Sequence, residues 1–365
     1  MKIVFLISND PNYDQRMQRI CHSLQSNGYD VMLIGTATRG KTQFGERSYR
    51  QRRIPLLFKK GKLFYAEFNL KAFLHLLFLR FDAVCAIDLD AIVPCYLVSR
   101  LRNKKRIYDA HELFCELPEV MSRPRIYKAW KKIERWCLPH FKHGYTVSES
   151  ISAEYNRMYG HHYDTVRNIT LLQSHQYFDV SLPEAYILYQ GALNEGRGME
   201  YLIPAMQHVS VPLVICGEGN FSAKARALVK DLDLEQKVFF HGMVEPAVLP
   251  TYTLYAMAGI NLGDGTGLNN YLSLNNKFFD YIHGLLPQVC MDFPEFRRIN
   301  EQFEVAVLVR ELNSDAVAQA INSLLDNEDL HEKLKTNCSR AKLVLNWQQE
   351  EKKLISFYNK LFNRS

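Results

Sequence analysis

Short apolar runs alternate with amphipathic segments of helix length along most of this chain, and this alternation constrains the fold more than any other feature. Repeated strand and helix units of this kind form parallel sheets covered by helices. The chain has 365 residues, more than a single hydrophobic core usually supports. The sequence therefore predicts an α/β protein with two doubly wound, Rossmann-like domains.

The predicted strands fall into two series, separated by a stretch without clear periodicity at 171–184. They are expected at 2–8, 31–35, 83–87, 106–109 and 145–147, and then at 186–189, 213–216, 238–240, 259–262, 287–290 and 305–309. We therefore predict an N-terminal domain over 1–172, a linker over 173–184 and a C-terminal domain over 185–345, with a ligand cleft between the domains. In the remaining segment, 346–365, a helix could cross back to the first domain.

The charge and the cysteines exclude several classes of protein. The formal net charge is +6, and the basic residues concentrate in two segments, 39–62 and 123–142. The first segment lacks the regularly spaced aromatic residues of a nucleic-acid surface, so we expect no nucleic-acid partner. The 8 cysteines show no metal-ligand spacing, which is typical of reduced thiols in a cytoplasmic protein. We predict neither a signal peptide nor a membrane-spanning segment.

The second basic segment allows two interpretations. Tyr127, Trp130, Ile133 and Trp136 interleave with lysine and arginine residues. Such a surface favours anionic lipid and would hold the protein peripherally on the inner face of the cell membrane. Alternatively, the aromatic residues belong to the core of a long helix, and the basic residues form its solvated face.

Polar residues follow the predicted strands of the first half, at the sheet edge where doubly wound folds bind ligands. His111 lies there between Asp109 and Glu112, while Asp88 and Asp90 follow the preceding strand. His111 is a candidate for the chemistry, with a structural hydrogen-bonding role as the alternative. The two aspartates allow a metal site or a structural role.

The most informative segment is 273–281, with the sequence Ser-Leu-Asn-Asn-Lys-Phe-Phe-Asp-Tyr. Ser273 is predicted to be the N-cap of a helix whose free N–H groups would face an anion. Lys277 adds a positive charge one turn into this helix, and Asp280 follows on roughly the same face. A diphosphate at the helix N-terminus, with ribose on the carboxylate, would satisfy these features. An ordinary capped helix with a surface ion pair is the alternative.

Glycine-rich turns follow the predicted strands of the second half. Gly191 begins a turn that contains Arg197, whose guanidinium can pair with phosphate. Gly217 and Gly219 follow the next strand, and the run 241–244 follows the one after. Together with 273–281, these turns predict that several strand ends face one ligand.

Taken in order, these motifs resemble the retaining glycosyltransferases of the GT-B fold, glycosyltransferase family 4 (glycosyl transferases group 1). The resemblance extends to 292–295 and, in the first half, to 108–112, 147–150 and 166–168. It implies two Rossmann-like domains, a hexosyltransferase-type activity and no cofactor, with the nucleotide-sugar donor as a substrate. It also implies independence of metal ions, because basic groups neutralise the diphosphate. Asp88 and Asp90 are accordingly interpreted as structural or acceptor-facing.

The resemblance further implies roles for single residues. Arg197 and Lys277 would hold the diphosphate, and His111 would face the donor sugar or the transferring bond, so these three are the expected catalytic residues. The other expected substrate contacts are Asp280 at the ribose, Met243 and Val244 near the base, and also Gly191, Gly217, Gly219, Ser273, Leu274 and Asn275.

Three features depart from the family pattern. Leu272 and Asp280 stand where paired glutamates are common, Ala192 replaces a basic residue, and residues 9–16 replace a glycine-rich loop. The leading hypothesis is a retaining transferase that moves a sugar from a UDP- or GDP-sugar to a glycan or lipid-linked acceptor in cell-surface polysaccharide synthesis. A nucleotide-sugar 2-epimerase and a catalytically degenerate nucleotide-sugar-binding scaffold protein remain as alternatives.

Overall fold

The computed structural model describes residues 1–37 and 45–364, which form two compact units. The N-terminal unit comprises Met1–Arg167 and Glu350–Ser365, and the C-terminal unit comprises Asn168–Gln349. Arg39 and Lys41, which belong to the first predicted basic segment, lie outside the described residues.

All paired strands of the N-terminal unit are parallel. They are β1 (Lys2–Leu6), β2 (Asp30–Thr36), β3 (Arg50–Ile54), β4 (Ala83–Ile87), β5 (Lys105–Ala110), β6 (His143–Thr146) and β7 (Asp164–Thr165). Their order in the sheet is β3-β2-β1-β4-β5-β6-β7. The side chains of β1 and β4 are almost all buried on both faces of the sheet, so each strand is a continuous apolar run. The helices are α1 (Gln15–Ser26), α2 (Gly61–Phe78), α3 (Ile92–Leu101), α4 (Pro118–Met121), α5 (Pro124–Cys137) and α6 (Glu149–Tyr159).

The C-terminal unit repeats this plan. Its parallel strands are β8 (Ile187–Gln190), β9 (Leu213–Cys216), β10 (Val238–Gly242), β11 (Ala258–Asn261), β12 (Gln288–Met291) and β13 (Ala306–Val309), in the order β10-β9-β8-β11-β12-β13. The helices are α7 (Met199–Ala205), α8 (Ser222–Asp231), α9 (Leu249–Tyr255), α10 (Leu268–Leu272), α11 (Asn276–His283), α12 (Pro294–Phe303), α13 (Ser314–Leu325) and α14 (Glu328–Val344). The prediction of two doubly wound α/β domains is confirmed.

The division between the units falls between Arg167 and Asn168, five residues before the predicted end of the first domain. The backbone N–H of Arg167 donates to Glu350 at 2.9 Å, within the N-terminal unit. Thr170 instead donates through its hydroxyl to Asp280 at 2.6 Å and accepts from the backbone N–H of Trp347 at 3.0 Å, both within the C-terminal unit. These hydrogen bonds place the residues after Arg167 with the second sheet.

The last helix, α15 (Trp347–Phe362), begins in the C-terminal unit and continues from Glu350 in the N-terminal unit. Its Tyr358 is fully buried and packs against Phe5, Tyr29 and Tyr145, with ring centroids 6.3, 6.0 and 6.2 Å away. The C-terminal end of the chain therefore forms part of the core of the N-terminal unit.

Strand β3 and helix α2 are not among the predicted elements. β3 lacks apolar alternation because three of its residues are arginines, and it forms by parallel pairing with β2. Two of the arginines form ion pairs, Arg50 with Asp30 at 2.5 Å and Arg53 with the buried Asp10 at 2.8 Å. The segment that the sequence presents as a free basic face is therefore partly a paired sheet edge.

Candidate active site

In the C-terminal unit, two glycine turns pack closely at the carboxyl ends of β8 and β9. Gly217 has a φ of +153°, and a Cβ there would lie 1.9 Å from the carbonyl oxygen of Gly191. A Cβ at Gly219 would lie 2.2 Å from the carbonyl oxygen of Leu193. Both positions need glycine because the two turns approach each other through their backbones.

Lys277 lies in the first turn of α11, directly against Gly191. Its Nζ is 3.6 Å from the ring centroid of Tyr189, and its Cε would be 3.3 Å from a Cβ placed at Gly191. Burial and the nearby charge of Arg197 lower the pKa of Lys277 well below its usual range, and Asp280 only partly opposes this. The structure thus holds two repelling cations together, an arrangement that an anion would stabilise.

Asn275 caps the N-terminus of α11, so the prediction that Ser273 is the cap was wrong. The side-chain oxygen of Asn275 accepts from the backbone N–H of Phe278 at 3.3 Å. The hydroxyl of Ser273 instead donates to the carbonyl of Asn270 at 3.0 Å, which closes the end of α10. The short helix α10 places the cap two residues later than the sequence suggests.

A small pocket opens beside this helix N-terminus. Its lining includes Arg197, Asn261, Asp264, Asn275 and Phe293. The amide of Asn275 donates to the Oδ1 of Asn261 at 2.7 Å, so the Nδ2 of Asn261 is left as a donor. That Nδ2 is buried without a hydrogen-bond partner among residues 1–37 and 45–364. Asn261 is a candidate ligand-binding residue that the sequence did not predict. It is the last residue of an otherwise apolar strand, and no sequence motif distinguishes it.

Asp280 already has protein partners on both carboxylate oxygens. Oδ1 accepts from Thr170 at 2.6 Å, and Oδ2 accepts from the amide of Gln190 at 3.0 Å. These two bonds fix the orientation of the carboxylate group.

The remaining predicted substrate residues differ in exposure. Leu274 is buried just before the cap of α11. At the end of β10, Met243 is 79% exposed, whereas Val244 packs against a core cluster that contains Tyr252. Tyr252 also bonds through its hydroxyl to the Nδ1 of His241 at 3.0 Å. Of these residues, Met243 is therefore the one whose side chain is largely exposed to solvent.

In the N-terminal unit, His111 lies in a buried chain of charged groups at the carboxyl ends of β4 and β5. Arg16 pairs with Asp109 at 2.9 Å, and the other oxygen of Asp109 is 3.3 Å from the Nε2 of His111. The Nδ1 of His111 is 3.7 Å from Asp88, which also accepts from the backbone N–H of His111 at 2.8 Å. Two carboxylates therefore flank one imidazole ring.

This arrangement favours a charged His111. Burial lowers its pKa, but Asp109 and Asp88 outweigh that effect and raise the pKa to about 9. Burial alone would raise the pKa of Asp109, yet Arg16 and His111 keep it below its usual value. Burial raises the pKa of Asp88 to about 8 despite the opposing charge of His111. These shifts favour an imidazolium at His111 and an ionised Asp109, while burial opposes ionisation of Asp88.

Asp88 adopts a strained backbone conformation, with φ 56° and ψ 179°. Backbone of this kind is rare outside glycine and concentrates at functional sites. Asp90, two residues on, accepts from the hydroxyl of Ser8, and burial raises its pKa to about 6. Within the described part of the chain, no group of three or more His, Cys, Asp or Glu is placed to hold a metal ion.

The structure divides the predicted catalytic residues between the two units. His111 belongs to the N-terminal unit, where Asp88 is a partner that the sequence did not assign to it and Arg16 is the partner of the neighbouring Asp109. Arg197 and Lys277 belong to the C-terminal unit, together with all the predicted substrate-binding residues. The distance in sequence between Arg16 and Asp109 explains why their ion pair was not predicted.

Comparison with known proteins identifies the class. Sucrose-phosphate synthase from Thermosynechococcus elongatus superposes over 100% of both chains with a TM-score of 0.83 and 17% identity. Anabaena HepE, solved with UDP-glucose, superposes over 99% of this chain and 100% of its own with a TM-score of 0.78 and 12% identity. The fold is that of the GT-B glycosyltransferases.

The model of Glycosyltransferase Family 4 matches residues 15–169, and that of Glycosyl transferases group 1 matches residues 184–327. The chain belongs to this family of glycosyltransferases. A Campylobacter jejuni relative, N-acetylgalactosamine-N,N'-diacetylbacillosaminyl-diphospho-undecaprenol 4-alpha-N-acetylgalactosaminyltransferase, is 26% identical over 170 residues. The match covers 45% of this chain and 44% of the relative, so it spans less than half of that relative's length.

Proposed function

We propose that the chain transfers a sugar from a UDP- or GDP-sugar to a lipid-linked or other glycan acceptor, with retention of configuration and without a metal ion. The observation that carries this proposal is the pair of cations, Arg197 and Lys277, beside the capped N-terminus of α11. A desolvated lysine held next to an arginine costs free energy that a bound diphosphate would offset. Helix N-termini are also general binding sites for phosphate.

The pocket lined by Arg197, Asn261 and Asn275 is proposed to receive the donor sugar. The unpartnered Nδ2 of Asn261 would donate to a sugar hydroxyl, and Asp280 would bind the ribose. Met243 and Val244 would border the base. HepE has been solved with UDP-glucose, which supports a nucleotide-sugar donor on this fold.

In the proposed reaction, the bond between the anomeric carbon and the diphosphate oxygen breaks, and its electron pair stays on the diphosphate. An acceptor hydroxyl forms the new bond and loses its proton to the departing diphosphate. Arg197, Lys277 and the dipole of α11 would stabilise the charge that develops on that leaving group. His111 would act as an imidazolium toward the donor sugar or the transferring bond, and no cofactor is required.

The acceptor is proposed to be a lipid-linked glycan in cell-surface polysaccharide synthesis, used by a cytoplasmic enzyme on the inner face of the membrane. The name of the Campylobacter jejuni relative describes a diphospho-undecaprenol substrate, which supports this acceptor class. Product analysis would identify the acceptor sugar.

Calorimetry with UDP and GDP tests the donor site. Lys277→Ala and Arg197→Ala should each weaken binding of the preferred nucleotide by about 1.5–3 kcal/mol, the scale of a hydrogen bond to a charged group. The matched control is Lys335→Ala, an exposed lysine on α14. Binding by both site variants at the strength of the parent would remove this assignment.

Product analysis tests the reaction itself. A transferase releases nucleoside diphosphate only when acceptor is present, and His111→Ala should bind nucleotide normally but turn over slowly. Interconversion of donor sugars without acceptor would indicate an epimerase. Binding without either reaction would indicate a scaffold protein.

A further inference from the structure

Helix α2 has apolar residues on both its buried and its exposed side. Phe64, Phe68, Ala72 and Leu76 are buried in the N-terminal unit. Leu63, Leu70, Leu74 and Phe78 are exposed, and their helical spacing places them on one stripe. Leu70 is 62% exposed and Phe78 is 82% exposed, although a soluble surface normally carries polar residues on that side of a helix.

The segment before α2 extends this apolar stripe. Leu57 is 83% exposed, and Phe58 beside it is also exposed. Glu67 on α2 accepts from the backbone N–H of Leu57 at 2.9 Å and from that of Phe58 at 3.0 Å. Lys71 pairs with Glu67 at 2.8 Å and donates to the carbonyl of Pro55 at 2.7 Å. The loop is therefore fixed to the helix with its apolar side chains held in solvent.

Basic residues border the stripe. Lys59, Lys60 and Lys62 lie between the loop and the first turn of α2, all exposed, and Arg80 follows the last turn. None of these four forms an ion pair with a described residue. An apolar helix face with unpaired positive charges at its ends matches a membrane surface that contains anionic lipid.

We propose that this face of the N-terminal unit, formed by Leu57, Phe58, Leu63, Leu70, Leu74 and Phe78, lies in the headgroup region of an anionic lipid bilayer. The helix is about 27 Å long at 1.5 Å per residue and lies along the surface. No helix in the described ranges 1–37 and 45–364 is both long and apolar enough to cross a membrane. The inference rests on the proposed function in one respect: contact with the membrane would bring the enzyme to a membrane-held acceptor.

The second predicted basic segment is less suited to this contact. Trp130 on α5 packs edge-on against Tyr65 and Phe114, with centroids 5.2 and 4.9 Å away. Lys131 pairs with Glu134 at 2.8 Å and lies 3.4 Å from Glu116. These residues serve packing and ion pairs within the unit. A second copy of the chain also fits the apolar stripe less well, because a symmetric dimer would bring like charges together. The lysines would meet lysines in a parallel pair of helices and Arg80 in an antiparallel pair.

Co-sedimentation with vesicles tests the proposal, with neutral phosphatidylcholine vesicles compared to phosphatidylcholine with anionic phosphatidylglycerol. The parent should bind the anionic vesicles, and L70S/L74S should lower the partition coefficient about tenfold for each leucine, which is about 1.4 kcal/mol each. The control L343S/V344S replaces exposed apolar residues of the C-terminal unit and should bind like the parent. K59E/K60E/K62E should lose the preference for anionic vesicles and most of the sensitivity to salt.

Vesicle binding by L70S/L74S equal to that of the parent would overturn the proposal. So would concentration-dependent self-association of the parent without vesicles that L70S/L74S abolishes, since that result would identify a second copy as the occupant. The vesicles contain no glycan, and binding of UDP and of GDP by every variant is measured separately. A parent that binds vesicles but neither UDP nor GDP would therefore refute the proposed function and leave this surface intact.

Discussion

At the scale of single residues, the protonation of Lys277 links nucleotide binding to pH. Because burial and Arg197 lower the pKa of Lys277 in the free protein, part of its population is neutral at alkaline pH. A bound diphosphate would raise that pKa again, since an opposite charge favours the cation. UDP binding should therefore take up a proton, and affinity should fall as pH rises through the pKa of the free lysine.

Calorimetry above about pH 8, where a terminal phosphate with a pKa of about 6 is almost fully ionised, measures this uptake. The binding enthalpy in buffers of different ionisation enthalpy should show proton uptake by the parent that increases with pH, and close to none for Lys277→Ala. Equal uptake by the two proteins would show that another group takes the proton.

The pKa of His111 should depend on Asp88. Asp88→Asn removes one of the two carboxylates that raise this pKa to about 9 but keeps an oxygen to accept the backbone N–H. The pKa of His111 should therefore fall, and so should the pH at which turnover is lost, because the imidazolium is the active form in the proposed reaction. An NMR titration of His111 measures the change directly. The control Asp164→Asn, in β7, should leave the pKa unaltered, and an unchanged pKa in Asp88→Asn would contradict this account.

The sequence predicted residues that carry charge within a local motif, but not their partners. Lys277 and Asp280 fall within one recognisable run, and His111 adjoins a strand end. Arg16 and Asn261 lack such a context, because the first meets Asp109 only through the sheet order and the second is marked by an unpaired donor. Contacts between residues that are distant in sequence can be identified only once the three-dimensional fold is known.

At the scale of elements, substitutions at the cap of α11 should change the stability of the protein and its affinity for UDP by different amounts. Asn275→Ala removes the acceptor for the N–H of Phe278 and should cost about 0.5–2 kcal/mol in the free energy of unfolding. Asn275→Asp should keep the cap, since aspartate also caps helices, although it loses the donor to Asn261. It should weaken UDP binding by placing a negative charge at the proposed diphosphate site. Chemical denaturation and calorimetry give the two quantities.

Ser273→Ala is the matched control for this cap. The hydroxyl of Ser273 donates to Asn270 and does not cap α11, so the loss of stability should be smaller than that of Asn275→Ala. A larger loss of stability in Ser273→Ala than in Asn275→Ala would indicate that Ser273 is the cap of α11, as the sequence predicted.

The strength of the apolar pattern decided which elements were predictable. Buried strands such as β1 and β4 are continuous apolar runs, and their predicted positions agree with the structure. Strand β3 forms by parallel pairing with β2, and two of its arginines pair with Asp10 and Asp30. A count of charges alone predicts a free basic surface there. Helix α2 has apolar residues on two faces, so its amphipathic period is weak.

At the scale of the whole molecule, Tyr358 ties the end of the chain to the core of the N-terminal unit. Tyr358→Ala removes a fully buried ring that contacts Phe5, Tyr29 and Tyr145, and it should cost about 3–5 kcal/mol in the free energy of unfolding, as for other large aromatic truncations. Tyr358→Phe retains the ring and loses the hydroxyl contacts with Tyr145, at 3.3 Å, and with the thiol of Cys85, so its cost should be about 1 kcal/mol. Denaturant melts compare the two, and equal costs would show that the ring packing contributes little.

The charge balance of the proposed reaction predicts turnover without a divalent cation. Arg197 and Lys277 supply two positive side chains at the N-terminus of α11, whose free N–H groups add a partial positive charge. These groups can neutralise a departing diphosphate in the way that a metal ion does in other transferases. Turnover in excess EDTA should therefore equal turnover with added Mg²⁺ or Mn²⁺, whereas Lys277→Ala should be slow under both conditions. If EDTA abolished activity and Mg²⁺ or Mn²⁺ restored it, the leaving group would depend on a bound cation, and the two basic residues would have a supporting role in binding alone.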